Sequence, residues 1–255
     1  MLIFTEKITM TEKYITQYTL RYREVNRHGL VKAATWFDFM QEAAAAHATR
    51  LELGYSGLQS MQCFWVLARL QLKVLRQPAI GETLTLETWP GSFRRLFANR
   101  HFRFLGKDGK ECAVASSQWM IISAVNGRPQ RVDIVADRLP DNHDLPAYFS
   151  FEERMASVEE NIDAVSFPVR FSMEDINGHL NNAEYAGIAQ DWVEEKLAAP
   201  VGISEIGITF HSACLAPETL KVCGEKQGDK TFCISGYRPG GNLSFSAVLT
   251  YSDIQ

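Results

Sequence analysis

The sequence contains no long apolar run, no excess of positive charge and no paired-cysteine motif. A membrane-spanning helix needs about 20 consecutive apolar residues, and no segment of this chain approaches that length. The first stretch, MLIFTEKITMTEKY, carries acidic residues and lysines where a signal peptide has an apolar core. The 26 Lys and Arg residues against 30 Asp and Glu give a net charge of −4, which provides no case for binding nucleic acid or an anionic membrane. We therefore expect a cytoplasmic protein that contacts neither membranes nor nucleic acid.

The five cysteines are odd in number, and no two of them have the CxxC spacing. This pattern suggests neither a disulfide framework nor a zinc site. Most of the histidines also lack a carboxylate or cysteine at a recognisable ligand spacing; these are His28, His47, His101 and His143. We therefore expect free thiols and no metal site.

Two stretches of the chain resemble each other: RYREVNRHGLVKAATWFDFMQE, beginning at Arg21, and RFSMEDINGHLNNAEYAGIAQD, beginning at Arg170. The matched pairs include Gly29 with Gly178, Ala34 with Ala183, and Gln41 with Gln190. Later segments follow in the same order, with RLQLKVLRQPAIGETLTLET resembling EIGITFHSACLAPETLKVCG. A chain of 255 residues is long enough for two modules, so the sequence predicts a duplicated unit.

Each copy shows the same succession of patterns: a short alternating strand, a turn containing glycine, one helix and four longer strands. The alanines of the first helix favour helix formation and close wrapping by a sheet. The first copy is predicted to contain a strand through Tyr18, Leu20 and Tyr22, a helix over Val31–Leu53, and strands over Cys63–Leu75, Thr83–Pro90, Phe97–Leu105 and Ala113–Ser123. The second is predicted to contain a strand through Phe167, Val169 and Phe171, a helix over Asn181–Leu197, and strands over Ile203–Ser212, Thr219–Cys223, Thr231–Tyr237 and Leu243–Tyr251.

One helix followed by an antiparallel sheet, made twice, predicts an α+β chain of two tandem hotdog modules. In each module the sheet wraps around the central helix. We assign residues 1–125 to an N-terminal module, 126–164 to a linker and 165–255 to a C-terminal module. The linker is rich in Asp, Glu and Pro and lacks a strand period. Two unrelated α+β domains are the alternative, against which the ordered repeat argues.

Three segments carry recognisable motifs. DINGHLNNAEY, from Asp175 to Tyr185, fits D-x-N-x-H-[VL]-N-N-x-x-Y at every fixed position. WPGSFRRLFANRHFRF, from Trp89, fits W-P…R…R-x-F, and ASSQWMIIS fits A-x-S-x-W-x-x-x-D except that Ser123 stands where Asp is usual. Together the segments resemble the acyl-[acyl carrier protein] thioesterase family of bacteria and plant plastids. The resemblance implies two hotdog modules in one chain, hydrolysis of the thioester that links a fatty acyl chain to acyl carrier protein, and no metal or organic cofactor.

Thioester hydrolysis needs an activated water, an anchor for the carbonyl oxygen and an apolar slot for the acyl chain. Within DINGHLNNAEY, His179 is the one group that titrates near neutrality. Asp175, Asn177 and His179 alternate along the chain, so an extended approach to the helix would turn all three to one side. Our hypothesis is that Asp175 orients Asn177 or a water, Asn177 holds the water or the carbonyl, and His179 moves the proton. The resemblance implies the same three catalytic residues.

A polar turn that caps a helix is the other interpretation of this stretch. The first copy has Asn26, His28 and Leu30 at the matching positions. It is therefore expected to make the same turn without the Asp–Asn–His set. Asn181 and Asn182 lie where the helix begins, and their side chains are placed to cap free backbone amides. The partial positive charge of a helix N-terminus also favours a developing oxyanion, so both are candidate substrate-binding residues.

The resemblance also exposes a missing acid. The family usually carries a Glu directly before a Cys on the next strand, and here the ungapped alignment places Ala213 and Cys214 there. Without that acid, either Asp175 is the general base or another carboxylate, such as Glu205 or Glu218, reaches the site. We favour Asp175.

Cys214 itself raises the option of a Cys–His nucleophile. Neighbours on a strand point to opposite faces, so Cys214 faces away from the site if Ala213 faces it, and we expect a buried, inert thiol. His211 lies two residues before Ala213 on the same predicted strand, so both side chains would point to the same face. We nevertheless expect a surface histidine or a core histidine with its hydrogen bonds satisfied.

Substrate binding has two sets of candidate residues. Arg94 and Arg95 begin a basic stretch, RRLFANRHFR, which is either a solvated strand face or a docking patch for an acidic partner. The resemblance favours docking, because acyl carrier protein is acidic. Trp36 and Trp65 belong to the apolar residues of the N-terminal module, which the resemblance implies holds the acyl chain. The oligomeric state is open, with a homodimer among the options.

Three functions therefore compete. The leading one is an acyl carrier protein thioesterase, and the same chemistry on coenzyme A is its nearest alternative. A non-catalytic acyl-binding hotdog is the alternative of a different class, which Ala213 makes plausible. A hotdog dehydratase is weaker, because the Asp–Asn–His spacing does not suggest it.

Overall fold

The computed structural model describes residues 13–151, 155–161 and 164–252. Most of the N-terminal stretch considered above, and residues 253–255 of the predicted second module, lie outside these ranges. The strands are β1 (Tyr14–Thr19), β2 (Cys63–Val74), β3 (Thr83–Arg94), β4 (Phe97–Leu105), β5 (Glu111–Ser123), β6 (Pro129–Gln130), β7 (Val165–Pro168), β8 (Gly202–Phe210), β9 (Thr219–Lys226), β10 (Thr231–Arg238) and β11 (Asn242–Ser252). The helices are α1 (Ala33–Arg50), α2 (Tyr55–Gln59) and α3 (Asn182–Leu197).

All the described strands join one sheet, and its two halves contain equivalent strands in mirrored order. The strands follow β1-β3-β4-β5-β2-β8-β11-β10-β9-β7, with β6 paired to β5. The first five come from the N-terminal copy, and the last five are their counterparts in mirrored order. The copies meet where β2 and β8 pair antiparallel, from Arg69–Thr209 to Lys73–Glu205. This is the arrangement predicted for two tandem hotdog modules.

The two long helices lie on one face of this sheet and pack against each other. The buried face of α1 includes Trp36, Phe37, Met40 and Ala44, at the three- and four-residue spacings of an amphipathic helix. Apolar side chains of both helices and both halves of the sheet form one continuous cluster. The two modules therefore share a core, and their junction lies inside it.

The chain departs from the predicted elements mainly where it enters each module. The first strands were predicted to run through Tyr22 and Phe171, but they end at Thr19 and Pro168. Tyr22 and Phe171 instead begin short 3-10 turns and are strongly exposed, because a backbone bond to Arg21 or Arg170 tightens the chain there. The prediction of an alternating strand through these two residues is therefore wrong.

The segment predicted as a linker has two parts. Its first part contains β6 and a 3-10 helix at Val132–Arg138, of which Val132 and Val135 pack beside Leu51, Leu53 and Leu58. In the described residues of its second part, the N–H groups of residues 149 and 158 donate to serine hydroxyls of β5 and β10 at 3.2 and 2.9 Å. Residues just past 125 thus complete the first module's core. None of the helices in the described ranges is long and apolar enough to cross a membrane.

Candidate active site

The stretch DINGHLNNAEY forms a tight turn followed by the start of α3. The Oδ1 atom of Asp175 accepts the backbone N–H groups of Asn177 at 2.8 Å and His179 at 3.1 Å. The Asp175 N–H donates to the His179 carbonyl at 2.7 Å, and Gly178 has a φ of 73°, which glycine adopts without steric cost. The extended approach expected from the alternation is therefore wrong, because these local bonds fold the segment back on itself.

The first module makes the same turn at Asn26. Its Oδ1 accepts the N–H groups of His28 at 2.9 Å and Leu30 at 3.1 Å, and Gly29 has a φ of 76°. An amide oxygen at this position thus holds the turn as well as a carboxylate does. The turn is a property of the fold, whereas the negative charge at Asp175 is not required for it.

Two side chains of the second turn keep hydrogen-bonding groups that the turn itself does not use. Asn177 is exposed, and its Nδ2 donates to the Oδ2 atom of Asp175 at 3.3 Å. This bond leaves the Asn177 amide oxygen as an acceptor. His179 is partly buried, and its imidazole makes no hydrogen bond to any residue that the structure describes. Both groups are therefore available to a substrate or a water.

The helix α3 begins as predicted. Asn181 is its N-cap, and the Asn181 side chain accepts the N–H of Ala183 at 2.9 Å. Asn182 is the first helical residue and lies with Gln41 and Trp119 around a small cavity at the module junction. The cap satisfies one of the free amides that every helix start carries.

A glutamine distinguishes the two helix starts. The Oε1 atom of buried Gln190, on α3, accepts the N–H of Ala33 at the start of α1 at 2.7 Å. The repeat places Gln41 and Asn182 as the counterparts of this pair, but the Gln41 side chain bonds Asp38 at 3.2 Å instead. No described residue accepts the N–H of Asn182. The N–H of Asn182 is thus open, whereas the equivalent N–H of Ala33 is bonded.

Sequence reasoning did not identify Gln41 as a site residue. The repeat alignment contained the necessary signal, because it paired Gln41 with Gln190. The different hydrogen bonds of the two glutamines became visible only in the structure.

A cavity of about 320 Å³ runs between α1 and the sheet of the first module and reaches Asn177 of the second. On α1 its wall is made by residues spaced three or four apart: Gln41, Ala44, Ala45, Ala48 and Thr49. The alanines leave room that larger side chains would fill. Aromatic and aliphatic residues make most of the rest of the wall, including Phe64, Trp65, Trp119, Leu53 and Leu58. The cavity therefore joins an apolar slot to the polar turn.

The two predicted acyl-slot tryptophans have different positions. Trp65 lines the cavity, and its indole N–H donates to the Leu53 carbonyl at 3.0 Å. Trp36 is fully buried and packs edge-on against Phe104 at 4.9 Å. Trp36 does not line this cavity, and the structure places it in the core.

The basic stretch separates into three environments. Arg94 and Arg95 are exposed at the turn between β3 and β4. Arg103 pairs with Glu87 at 2.9 Å. Arg100 is buried and forms part of the cavity wall. Of the four arginines, only the two at the turn keep the exposure that docking requires.

The carboxylates offered as substitutes for the missing acid are held elsewhere. Glu205 accepts from Gln71 at 2.8 Å across the seam between β2 and β8. Glu218 binds Arg238 through two bonds of 2.6 and 2.9 Å, and these bonds lower the pKa of its carboxyl to about 2. Asp175 uses both oxygens in the turn, as described above. The imidazole of His179 is the less committed proton acceptor.

The loop that follows β8 shows why Cys214 is an unsuitable nucleophile. The strand predicted to reach Ser212 ends at Phe210, so the argument that strand neighbours point to opposite faces does not apply to Ala213 and Cys214. Ala213 is nevertheless exposed and Cys214 fully buried. Burial, and then the Glu218 carboxylate that accepts from its Sγ at 3.2 Å, raise the pKa of the Cys214 thiol to about 12. A thiol held in this way stays protonated near neutrality.

The neighbouring His211 also has a local partner. It is exposed, and its Nε2 lies 3.1 Å from the Ser246 hydroxyl. In the described part of the chain, no group of three or more His, Cys, Asp or Glu side chains is placed to hold a metal ion.

The architecture defines the class first: a double hotdog in which the polar turn of the second module adjoins an apolar cavity of the first. The family model for the acyl-ACP thioesterase N-terminal domain matches residues 11–137, and the model for the acyl-ACP thioesterase C-terminal domain matches residues 156–240. The chain therefore belongs to the acyl-ACP thioesterase family, as the motifs had indicated.

Individual relatives are distant in sequence. The chain is similar to oleoyl-acyl carrier protein thioesterase 1 of Arabidopsis thaliana chloroplasts, with 24% identity over 225 residues, which cover 79% of this chain and 60% of the relative. It is also similar to a chloroplastic palmitoyl-acyl carrier protein thioesterase of Cuphea hookeriana, with 24% identity over 82% of this chain and 51% of the relative. The chain thus spans 60% or less of the length of these two relatives.

Solved structures confirm the predicted fold. An acyl-ACP thioesterase from Bacteroides thetaiotaomicron superimposes with a TM-score of 0.84 at 20% identity, covering 94% of this chain and 98% of that one. The 12:0-ACP thioesterase from Umbellularia californica superimposes with a TM-score of 0.81 at 19% identity, covering 95% and 98%. At these identities the likeness establishes the double hotdog fold and nothing finer.

Proposed function

We propose that the protein hydrolyses the thioester of fatty acyl chains carried by acyl carrier protein and releases free fatty acids, as a step of fatty acid synthesis. The observation that carries the proposal is the continuity between the apolar cavity of the first module and Asn177 in the polar turn of the second. An acyl chain lying in the cavity places its thioester at that turn. Membership of the acyl-ACP thioesterase family supports the same reaction.

The turn supplies the groups that activate water. The Asn177 amide oxygen accepts a hydrogen bond from a water, because its amide nitrogen is committed to Asp175. The His179 imidazole takes one proton of that water as the oxygen attacks the thioester carbon. When the carbon–sulfur bond breaks, the proton passes from His179 to the leaving thiolate. Asp175 holds the backbone of Asn177 and His179 in position through hydrogen bonds to their N–H groups.

The start of α3 supplies the anchor for the carbonyl oxygen. The open N–H of Asn182 stands at the positive end of the helix, where negative charge that develops on the oxygen is stabilised. The equivalent donor on α1 is occupied by Gln190. This difference supports one active site per chain, in the second module.

We propose that the carrier protein docks through Arg94 and Arg95. Both are exposed and neither forms an ion pair with any described residue, so their charge is available to an acidic partner.

The reaction is tested by measuring thiol release from acyl carrier protein loaded with saturated and unsaturated acyl chains of graded length. Coenzyme A thioesters of the same chains give the comparison between carriers. We expect hydrolysis with preference for the protein carrier, and loss of at least a hundredfold in kcat for His179→Ala, the scale of general acid–base catalysis. His28→Ala changes a histidine of the equivalent turn in the first module and is expected to keep full activity. A fully active His179→Ala protein would remove His179 from the mechanism.

A non-catalytic acyl-binding protein is the second candidate, and Ala213 is the observation that favours it. An acid is usual at this position in the family, and the carboxylates of Glu205 and Glu218 are bound elsewhere. The same panel decides between the two candidates: acyl chains that bind without any thiol release would establish binding alone.

A further inference from the structure

Arg100 is a buried charge inside the cavity wall that the proposed chemistry does not use. It lies on β4, is 9% exposed, and lines the same cavity as Asn177. Its Nη1 donates to the Nδ1 atom of His47 and to the hydroxyl of Thr88, both at 3.2 Å. Neither partner carries a negative charge.

No carboxylate in the described ranges forms an ion pair with Arg100. Burial lowers the pKa of its guanidinium to about 10, so the group still carries its charge near neutrality. A guanidinium has five N–H donors, and the two on Nη1 are used. The Nε and Nη2 groups bond no described residue. A buried charge without an opposite charge is costly, and such groups in cavities are candidates for binding a ligand.

The free donors of Arg100 call for an acceptor on the ligand. We infer that the cavity takes an acyl chain that bears an oxygen, such as a keto or hydroxyl group, part-way along its length, and that Arg100 binds this oxygen. A plain alkyl chain would leave those donors without a partner. The inference rests on the proposed function only in taking an acyl chain as the cavity's ligand.

The contacts of Arg100 locate the oxygen along the chain. Gln41 lines a small cavity together with Asn182, whose N–H is the proposed anchor of the thioester oxygen, and Arg100 contacts His47, six residues further along α1. A rise of 1.5 Å per residue separates these positions by about 9 Å along the helix. The oxygen therefore lies well beyond the thioester and its neighbouring carbons, in the middle part of a long acyl chain.

The test is a binding measurement with S-alkyl pantetheine thioethers, which the protein cannot hydrolyse. A hexadecyl thioether is compared by calorimetry with a series in which one keto group is moved stepwise along the chain. In an apolar wall each keto group weakens binding, because its desolvation is not compensated. We expect one or two neighbouring positions in the middle of the chain to bind about tenfold more tightly than the plain chain, the scale of a hydrogen bond to a charged group.

Two variants assign that gain to Arg100. Arg100→Met is expected to remove it while the plain chain binds as well as before. Arg103→Met, which removes the neighbouring guanidinium that pairs with Glu87, is expected to keep it. The inference is overturned if no keto position binds the wild-type protein more tightly than the plain chain, or if Arg100→Met keeps the gain. If Arg100→Met does not fold, the wild-type series still overturns the inference when no keto position in the middle of the chain gains affinity. Failure of every thioether to bind would contradict the proposed function instead.

Discussion

At the scale of single residues, Asp175 and Asn26 hold the backbones of their two turns with equivalent hydrogen bonds, but only Asp175 carries a charge. Asn26 makes the same backbone bonds in the first module at 2.9 and 3.1 Å. We therefore expect Asp175→Asn to change the free energy of unfolding by no more than about 0.5 kcal/mol. We expect kcat/KM to fall at least tenfold, because the charged acceptor that orients Asn177 is lost. Urea unfolding and thiol release measure the two effects.

The reciprocal change is the control. Asn26→Asp puts a carboxylate into the first turn and is expected to leave both stability and turnover unchanged. If Asp175→Asn destabilises the protein by several kcal/mol, the carboxylate is structural, and the assignment of Asp175 to the mechanism loses its support.

At the scale of elements, α1 determines how much room the cavity has. Ala48 lies on the cavity wall one helical turn beyond Ala44. Ala48→Leu places three more carbon atoms in that space, so we expect the preferred acyl chain to become shorter. The ratio of kcat/KM for long and short acyl thioesters measures the change. Ala46→Leu is the control, because Ala46 is on the same helix but does not line the cavity, and it should leave the ratio unaltered.

The elements also show where sequence reasoning succeeds and fails. The long strands and both long helices were predicted to within a few residues, because alternation and helical periodicity persist over enough positions to be recognised. The five residues of α2, over Tyr55–Gln59, and the 3-10 turns at Tyr22 and Phe171 were missed, because a single turn has no period. The polar turn was predicted from the motif, but its folded-back shape depends on hydrogen bonds that no spacing reveals.

At the scale of the whole molecule, the repeat is symmetric in its strands and asymmetric at its two helix starts. The strands pair in mirrored order across the seam of β2 and β8. Across the helices, Gln190 reaches from the second module to the N–H of Ala33 in the first, whereas Gln41 leaves the N–H of Asn182 open. The two glutamines therefore have different roles in one architecture: Gln190 stabilises it, and Gln41 faces the cavity.

The stabilising role predicts a large effect for Gln190→Leu. The substitution leaves the N–H of Ala33 buried without an acceptor, which costs about 1–3 kcal/mol of the free energy of unfolding. Urea unfolding is the measurement, and the midpoint should move to lower denaturant with an unchanged slope. An unaffected midpoint would show that water or another group replaces the glutamine.

Gln41→Leu, the matching substitution in the first module, is expected to lower turnover and to leave stability nearly unchanged. Gln41→Leu removes an amide that lines the same cavity as Asn177 but accepts no helix-start N–H, so we expect the free energy of unfolding to stay within about 0.5 kcal/mol. Turnover should fall about tenfold, because the amide is lost from the wall where the thioester lies. Since the two variants carry the same chemical change at repeat-related positions, any general effect of Gln→Leu cancels between them. Equal losses of stability in both proteins would contradict the division of roles and, with it, an oxyanion site at the start of α3.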